Sequence, residues 1–432
     1  MQTIFVLLTL HKPIHVMEIR KNKHLLGING LGRIGKLTLW NQLVHRHFEG
    51  VVINVGREVG TSLHHMIQVM ETDSTYGSLD RFLHGYSGKG AGFEVLDEEK
   101  GLLAYDGFLI QLLRSERNPA NIPWKDYGVR IVVDCTGRFT DPTAGAAREG
   151  GSLRGHLEAG ADMVVLSAPF KIKDKTRKMP EDSAMMVYGI NHLELDAGRH
   201  RIISAASCTT TGLAHMLFPL LQTEETSQIL TASMSTVHAA TNTQNVLDAV
   251  PKAAASDLRK NRSVLNNIIL STTGAAKALE KIMPQIEEIG FMADSVRIPT
   301  NTVSLIILNL TFNSRLTETG DAVITKNLLD KIYSEAAGGQ QKGLLVFSKK
   351  QNVSADMMGF PAAVVIEGHE THTRTGFISL PESALAAMGV SVNKDLHLPV
   401  THAKIFGWYD NEYGSYVTTM GKLIQYLDQG LQ

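Results

Sequence analysis

The run Gly30-Leu31-Gly32-Arg33-Ile34-Gly35 constrains this chain more than any other feature. Glycines in the first, third and sixth places allow a tight turn, a close backbone approach to an anion, and close packing of the helix on the strand. The spacing carries that meaning only between a strand and a helix. An apolar stretch from about His24 leads into the turn, and Ile34, Leu37, Trp40, Leu43 and Val44 follow at helical spacing. Val51-Val52-Ile53-Asn54-Val55 then reads as a buried strand. This βαβ unit predicts a dinucleotide site with Gly30, Gly32 and Gly35 forming a phosphate cradle at a helix start.

Further short apolar runs at Val129 to Cys135, Met163 to Ala168 and Ile202 to Ala205 alternate with helical segments. They predict an α/β Rossmann-type doubly wound parallel sheet over residues 25–207. Beyond Cys208 the strands lengthen and alternate, as in Ser233 to His238 and Val303 to Phe312, with helices at Ala275 to Ile282 and Val323 to Ala336. A second, α+β catalytic domain with a mixed or antiparallel sheet is expected over 208–410. A last helix from Tyr413 to Gln429, within 411–432, is expected to complete the first domain. Residues 1–24 read as an N-terminal extension, of which 1–16 precede Met17 and stand apart from the fold. The stretches 141–153 and 171–183 lack periodicity and read as surface insertions.

Lys plus Arg number 42 against 43 Asp plus Glu, a balance that argues against nucleic acid or an anionic membrane as the main partner. The apolar run Ile4 to Leu10 is too short to span a bilayer and lacks the flanks of a signal peptide. A cytoplasmic protein without membrane partners is therefore expected. The two cysteines, Cys135 and Cys208, exclude a disulfide framework and suit a reducing compartment.

Cys208 stands in Ser204-Ala205-Ala206-Ser207-Cys208-Thr209-Thr210-Thr211, where a strand gives way to a helical run from Leu213 to Leu221. Amide dipoles at a helix start favour a thiolate, and the flanking hydroxyls suit a polar pocket better than a structural cysteine. His238 ends an apolar strand in Thr236-Val237-His238-Ala239-Ala240-Thr241 and can reach back to the sulfur as a general base. Cys135, at another strand end, reads as structural. The acidic residue that would bond an adenosine ribose is absent, because the second strand ends Asn54-Val55-Gly56-Arg57-Glu58. Arg57 can instead pair with a 2′-phosphate or remain a solvated loop charge, and Glu58 can supply the missing carboxylate.

These segments resemble the phosphorylating glyceraldehyde-3-phosphate dehydrogenase family. Family segments recur in order in Glu116-Arg117-Asn118-Pro119, Ile122-Pro123-Trp124, Ser271-Thr272-Thr273-Gly274-Ala275-Ala276-Lys277-Ala278, Arg297-Ile298-Pro299-Thr300 and Trp408-Tyr409-Asp410-Asn411-Glu412. The resemblance spans roughly residues 25 to 425. It implies that Cys208 attacks an aldehyde, with His238 as base, and that hydride passes to a nicotinamide dinucleotide. Inorganic phosphate then resolves the thioester. It further implies phosphate ligands at Ser207, Thr209, Thr241, Thr273, Gly274 and Arg297. The cofactor is expected to meet Gly30, Gly32, Arg33, Ile34, Gly35, Arg57, Arg117, Thr136, Gly137 and Asn411. A homotetramer is implied, with the loop of Arg262 reaching a neighbouring subunit.

Four departures stand out. Thr211 replaces the family's asparagine; Gly414-Ser415-Tyr416 replaces Gly-Tyr-Ser; Val55 replaces the ribose-binding aspartate; and Ala249-Val250 resembles members that tolerate NADP. Acceptance of both NAD and NADP is expected. The substrate is expected to be glyceraldehyde 3-phosphate, with erythrose 4-phosphate oxidation or a non-catalytic binding relative as alternatives.

Overall fold

A computed structural model describes residues 24–90, 92–253 and 255–431. Apart from His24, the expected N-terminal extension lies outside the described residues. The first sheet has nine strands: β1 Leu25–Asn29, β2 Gly50–Asn54, β3 Phe93–Asp97, β4 Leu102–Tyr105, β5 Phe108–Leu113, β6 Ile131–Asp134, β7 Met163–Leu166, β8 Ser183–Met185 and β9 Ile202–Ser204. Their order is β8-β9-β7-β6-β1-β2-β5-β4-β3. All neighbours from β8 to β5 run parallel, and β4 and β3 add an antiparallel edge. Every residue of β1, β2, β6 and β7 is buried, as expected for strands covered on both faces.

The order in which strands are added switches sides at β1, whose crossover leads to β2 on one side while β6 lies on the other. A ligand crevice belongs at the carboxyl ends of those strands. There Gly30 follows β1, and Thr136 and Gly137 lie just past β6. A buried network ties the ends together. Asp134 accepts from Asn29 Nδ2 (2.8 Å) and from Thr136 N and Oγ1 (3.0 and 2.7 Å). Trp124 Nε1 donates to His156 Nδ1 (2.9 Å), which leaves His156 Nε2 to donate to Asp134 (3.1 Å).

Helix α1 (Arg33–His45) buries Leu37, Leu39, Trp40 and Leu43 against this sheet. Helix α2 (Cys208–Leu221) leaves β9 through Ser204-Ala205-Ala206 and begins the second body of structure. Its sheet comprises β10 Ile229–Ala239, β11 Ile269–Thr272, β12 Gly290–Ile298, β13 Ser304–Asn313, β14 Leu345–Ser348, β15 Val364–Glu367, β16 His372–Leu380 and β17 Leu396–Tyr409. The order is β11-β12-β10-β13-β17-β15-β14, with β16 also on β17. β10 and β12 are parallel, whereas β10–β13 and β13–β17 are antiparallel, so the sheet is mixed as expected. Alternate residues Ile306, Leu308, Leu310 and Ile405 face α2 through Leu213, Leu217 and Leu220, joined by helices α3 (Ala275–Ile282) and α4 (Lys326–Gly338).

The C-terminal segment departs from the continuous helix expected from Tyr413. It opens with a five-residue π turn, Tyr413–Val417, in which Ser415 N donates to Asp410 O and Val417 N to Glu412 O, both 3.0 Å. Only then does α5 (Thr418–Leu431) begin, and it buries Leu423, Ile424 and Leu427 in the core of the first sheet. Of the two expected insertions, 171–183 is largely exposed, with Lys171, Ile172 and Met179 lining a cavity, whereas in 141–153 Gly151 and Leu153 pack around Pro119 and Phe139.

Candidate active site

The α1 loop shows why glycine is needed at each place. Gly30 has φ +95, and a Cβ at Gly35 would stand 1.9 Å from Gly30 O. At Gly32, the residue before α1, a Cβ would meet nothing within 4 Å and no side chain caps the helix. Free amide donors at a helix start beneath open space fit a pyrophosphate. Arg33 contributes differently from the sequence expectation. Its guanidinium pairs with Asp73 and with Glu412 (Nε to Oε1, 3.0 Å), so its side chain braces the loop against the segment after β17. Ile34 packs on the first core, Arg117 Nε donates to Gly56 O (3.1 Å), and Thr136 is held by Asp134 with Gly137 at φ +64 behind it. Arg57 is exposed and has no ion partner among the described residues, whereas Glu58 pairs with Arg114 (3.2 Å). Asn411 is buried; its Oδ1 accepts from Ser304 Oγ (2.9 Å), and its amide nitrogen has no partner among the described residues.

A cavity of about 570 Å³ opens at the start of α2. Ser207, Cys208, Thr209, His238, Thr273, Gly274 and Arg297 all line it. Ser207 precedes α2 and caps it, accepting from Thr210 N (3.1 Å), which makes Cys208 the first helical residue. His238 is the penultimate residue of β10, and its Nε2 lies 3.6 Å from Cys208 Sγ. Parallel pairing sets Arg297 of β12 directly beside His238. Arg297 Nη1 is 2.5 Å from His238 Nδ1 and 3.1 Å from Ala239 O. No carboxylate meets Arg297 among the described residues, and its buried Nε is unpartnered. A half-buried guanidinium left so is costly unless an anion joins it.

Electrostatics refine the thiolate expected at the helix start. Burial pushes the Cys208 thiol up, although Arg297 and the Thr209 hydrogen bonds pull it down. Burial and the neighbouring Arg297 charge push His238 down to about 3. Both shifts favour the uncharged forms, a thiol beside a neutral imidazole. Tyr409 ties the start of α2 to β10: its hydroxyl meets Thr209 Oγ1 (2.9 Å) and Thr236 Oγ1 (2.8 Å). Cys135 is half-buried, and burial pushes its thiol up to about 12.

Thr241 is not brought into the cavity. Its hydroxyl bonds Gln244 Oε1 (3.0 Å) and Thr243 Oγ1 (2.9 Å) within its own loop. Conversely, Lys171, Lys277 and Lys281 line the cavity and went unnoticed in the sequence. Lys277 and Lys281 were legible in principle, since they lie four apart on α3 just after Thr273-Gly274. Lys171 was not, because it belongs to a segment without periodicity.

Comparison with known proteins matches residues 24–142 to the glyceraldehyde 3-phosphate dehydrogenase NAD binding domain and residues 207–411 to the C-terminal domain of the same enzyme. Among curated relatives, glyceraldehyde-3-phosphate dehydrogenase 1 of Bacillus cereus is 31% identical over 389 residues, covering 90% of this chain and 94% of the relative. The Streptomyces coelicolor enzyme is 32% identical over 392 residues, with 90% and 94% covered. That of Geobacillus stearothermophilus is 32% identical over 389 residues, with 90% and 93% covered.

Proposed function

The chain belongs to the glyceraldehyde-3-phosphate dehydrogenase family, and we propose that it oxidises glyceraldehyde 3-phosphate to 1,3-bisphosphoglycerate with NAD or NADP and inorganic phosphate. The observation that carries this reading is the contact of Cys208 Sγ with His238 Nε2 at 3.6 Å, in a cavity where Arg297 has no carboxylate partner among the described residues.

The chemistry follows from where the proton sits. While Arg297 Nη1 donates to His238 Nδ1, the imidazole keeps its hydrogen on Nε2 and cannot take one from sulfur. A phosphate that draws Arg297 away lets Nδ1–H donate to Ala239 O, 2.8 Å distant, and turns Nε2 into an acceptor. The same anion cancels the charge that depresses the imidazole. His238 then takes the thiol proton as the Cys208 sulfur adds to the aldehyde carbon, and returns it to the oxyanion to give a hemithioacetal. His238 next removes the hydroxyl proton as hydride leaves the carbon, giving a thioester; a bound dinucleotide would supply the hydride acceptor. Phosphate oxygen attacks the thioester carbonyl and the Cys208 thiolate leaves, conserving as acyl phosphate the energy that water would dissipate. Ser207, Thr209, Thr273 and Gly274 offer hydroxyl and amide donors to the anions, and Lys171, Lys277 and Lys281 give the cavity its positive rim. Asn411 is assigned to the nicotinamide carboxamide on the strength of its free amide nitrogen.

A homotetramer is part of the proposal. The loop that carries Arg262 exposes Val246, Leu247, Val250, Leu258, Leu265 and Ile268, apolar surface that a second subunit would cover. No helix among the described residues is long and apolar enough to cross a membrane. We assign the chain to the cytoplasm as part of the same proposal. Steady-state rates with glyceraldehyde 3-phosphate and erythrose 4-phosphate, each with and without phosphate, test the activity. Phosphate-dependent turnover of the triose is expected. Faster, phosphate-independent turnover of the tetrose would overturn the assignment, and no turnover with either would favour a non-catalytic relative.

A further inference from the structure

Tyr416 is a buried phenol that the chemistry above leaves unused, and it stands where the family pattern has a serine. Its hydroxyl donates to Ala206 O at 3.2 Å. Ala206, two residues before the nucleophile, has φ +56, a left-handed conformation that L side chains avoid. The residue is fully buried, so no water competes for its backbone. Its N–H donates to Ser204 Oγ (3.1 Å), which in turn donates to Ala168 O (2.7 Å). Both polar backbone groups of this strained residue are therefore held by side chains outside any sheet ladder.

The bend at Ala206 sets the direction in which α2 leaves β9, and Cys208 is the first residue of α2. A rotation there would swing the sulfur relative to His238. Tyr416 reaches the bend by way of the π turn. The extra residue in that turn directs Tyr416 to Ala206, while Ser415 Oγ donates to Ala363 O (2.7 Å). Burial pushes the phenol well above its ordinary range, so it stays a donor across the working pH range.

We propose that Tyr416 is a positioning residue for Cys208, its hydroxyl holding the left-handed bend at Ala206 that aims the sulfur at His238. This rests on the reading of Cys208 as the nucleophile. The test uses the full chain and three variants: Tyr416→Phe, Ala206→Gly and the double variant. The rate of Cys208 alkylation by iodoacetamide, kcat and thermal stability are measured for each. Loss of one net hydrogen bond predicts alkylation and kcat slower by about fivefold to tenfold in Tyr416→Phe, with KM for the dinucleotide unmoved. Glycine takes a left-handed conformation freely, so the same Tyr416→Phe change in the Ala206→Gly background should cost less than about twofold. A general packing defect would not be rescued in this way, and an equal loss in both backgrounds overturns the proposal. So does a Tyr416→Phe variant that reacts like the unaltered protein. Failure of the unaltered chain to alkylate preferentially at Cys208 would instead defeat the nucleophile assignment, which separates the two readings.

Discussion

Alanine at Gly32 and alanine at Gly35 should damage the same loop in opposite ways. A Cβ at Gly35 would lie 1.9 Å from Gly30 O and 2.9 Å from its carbonyl carbon. Neither atom can yield cheaply, because Gly30 sits at φ +95 and its N–H is bonded to Asn54 O at 2.8 Å. Overpacking of this kind costs ~1–3 kcal/mol, and a clash with backbone belongs at the upper end. At ~2–4 °C per kcal/mol, Gly35→Ala should lower Tm by roughly 6–12 °C. Gly32→Ala meets no protein atom within 4 Å, so the apo protein should lose less than ~1 kcal/mol. What the new methyl group covers is the uncapped start of α1. Denying a pyrophosphate one charge-assisted bond there costs ~1.5–3 kcal/mol, or roughly 10- to 150-fold in Kd for either dinucleotide.

Differential scanning fluorimetry and calorimetric titration with NAD and NADP measure the two effects separately. The expected pattern is a stable Gly32→Ala protein that binds weakly and an unstable Gly35→Ala protein. Unchanged affinity in Gly32→Ala would remove the pyrophosphate from the helix start. Unchanged stability in Gly35→Ala would show that the close approach of the loop to α1 is wrong.

Three further outcomes follow from the charges. His215, which accepts from Gln341 Nε2 and bonds Tyr188 O, is pushed down by burial to about 3, and His238 likewise. Because these folded values lie below the unfolded 6.5, their stabilising effect is complete above that pH and is lost as pH falls toward 3. Unfolding in urea at pH 7.5 and pH 5 should therefore differ by about 2 kcal/mol for each histidine, and His215→Asn should remove about half of the combined slope. Arg297→Leu should raise KM for phosphate and for the triose phosphate at least about tenfold with dinucleotide affinity unchanged, and an equal loss in both would refute its place in the anion site. Arg57→Ala should weaken NADP about tenfold and leave NAD alone; a preference for either dinucleotide beyond about a hundredfold in the unaltered chain would refute dual use.

Much of the fold was legible because periodicity reports burial and burial decides which element forms. The buried apolar runs of β1, β2, β6 and β7, and the helical spacing along α1, are patterns of this kind. α3 was read to the residue, since its stripe of Ala275, Ala278, Leu279 and Ile282 is sharply one-sided. The π turn was not legible. Tyr413 to Val417 is wholly buried, and a segment buried all round carries no phase from which to tell one turn geometry from another. Residues 171–183 escaped for the opposite reason. Few of them are buried, so Lys171, Ile172 and Met179 reach the cavity by loop geometry that no spacing rule encodes.

The site divides along the same line. Cys208 was readable because a local event, the junction of a strand with a capped helix, positions it. The partnership of His238 with Arg297 was not, because it depends on β12 pairing parallel with β10 in one register. A slip of one residue in that pairing would turn Arg297 to the other face of the sheet. The register is therefore as much a part of the chemistry as the residues are. It places the Arg297 guanidinium against His238 Nδ1, and on the proposed function phosphate is the partner that competes for that guanidinium and frees the imidazole to act as base.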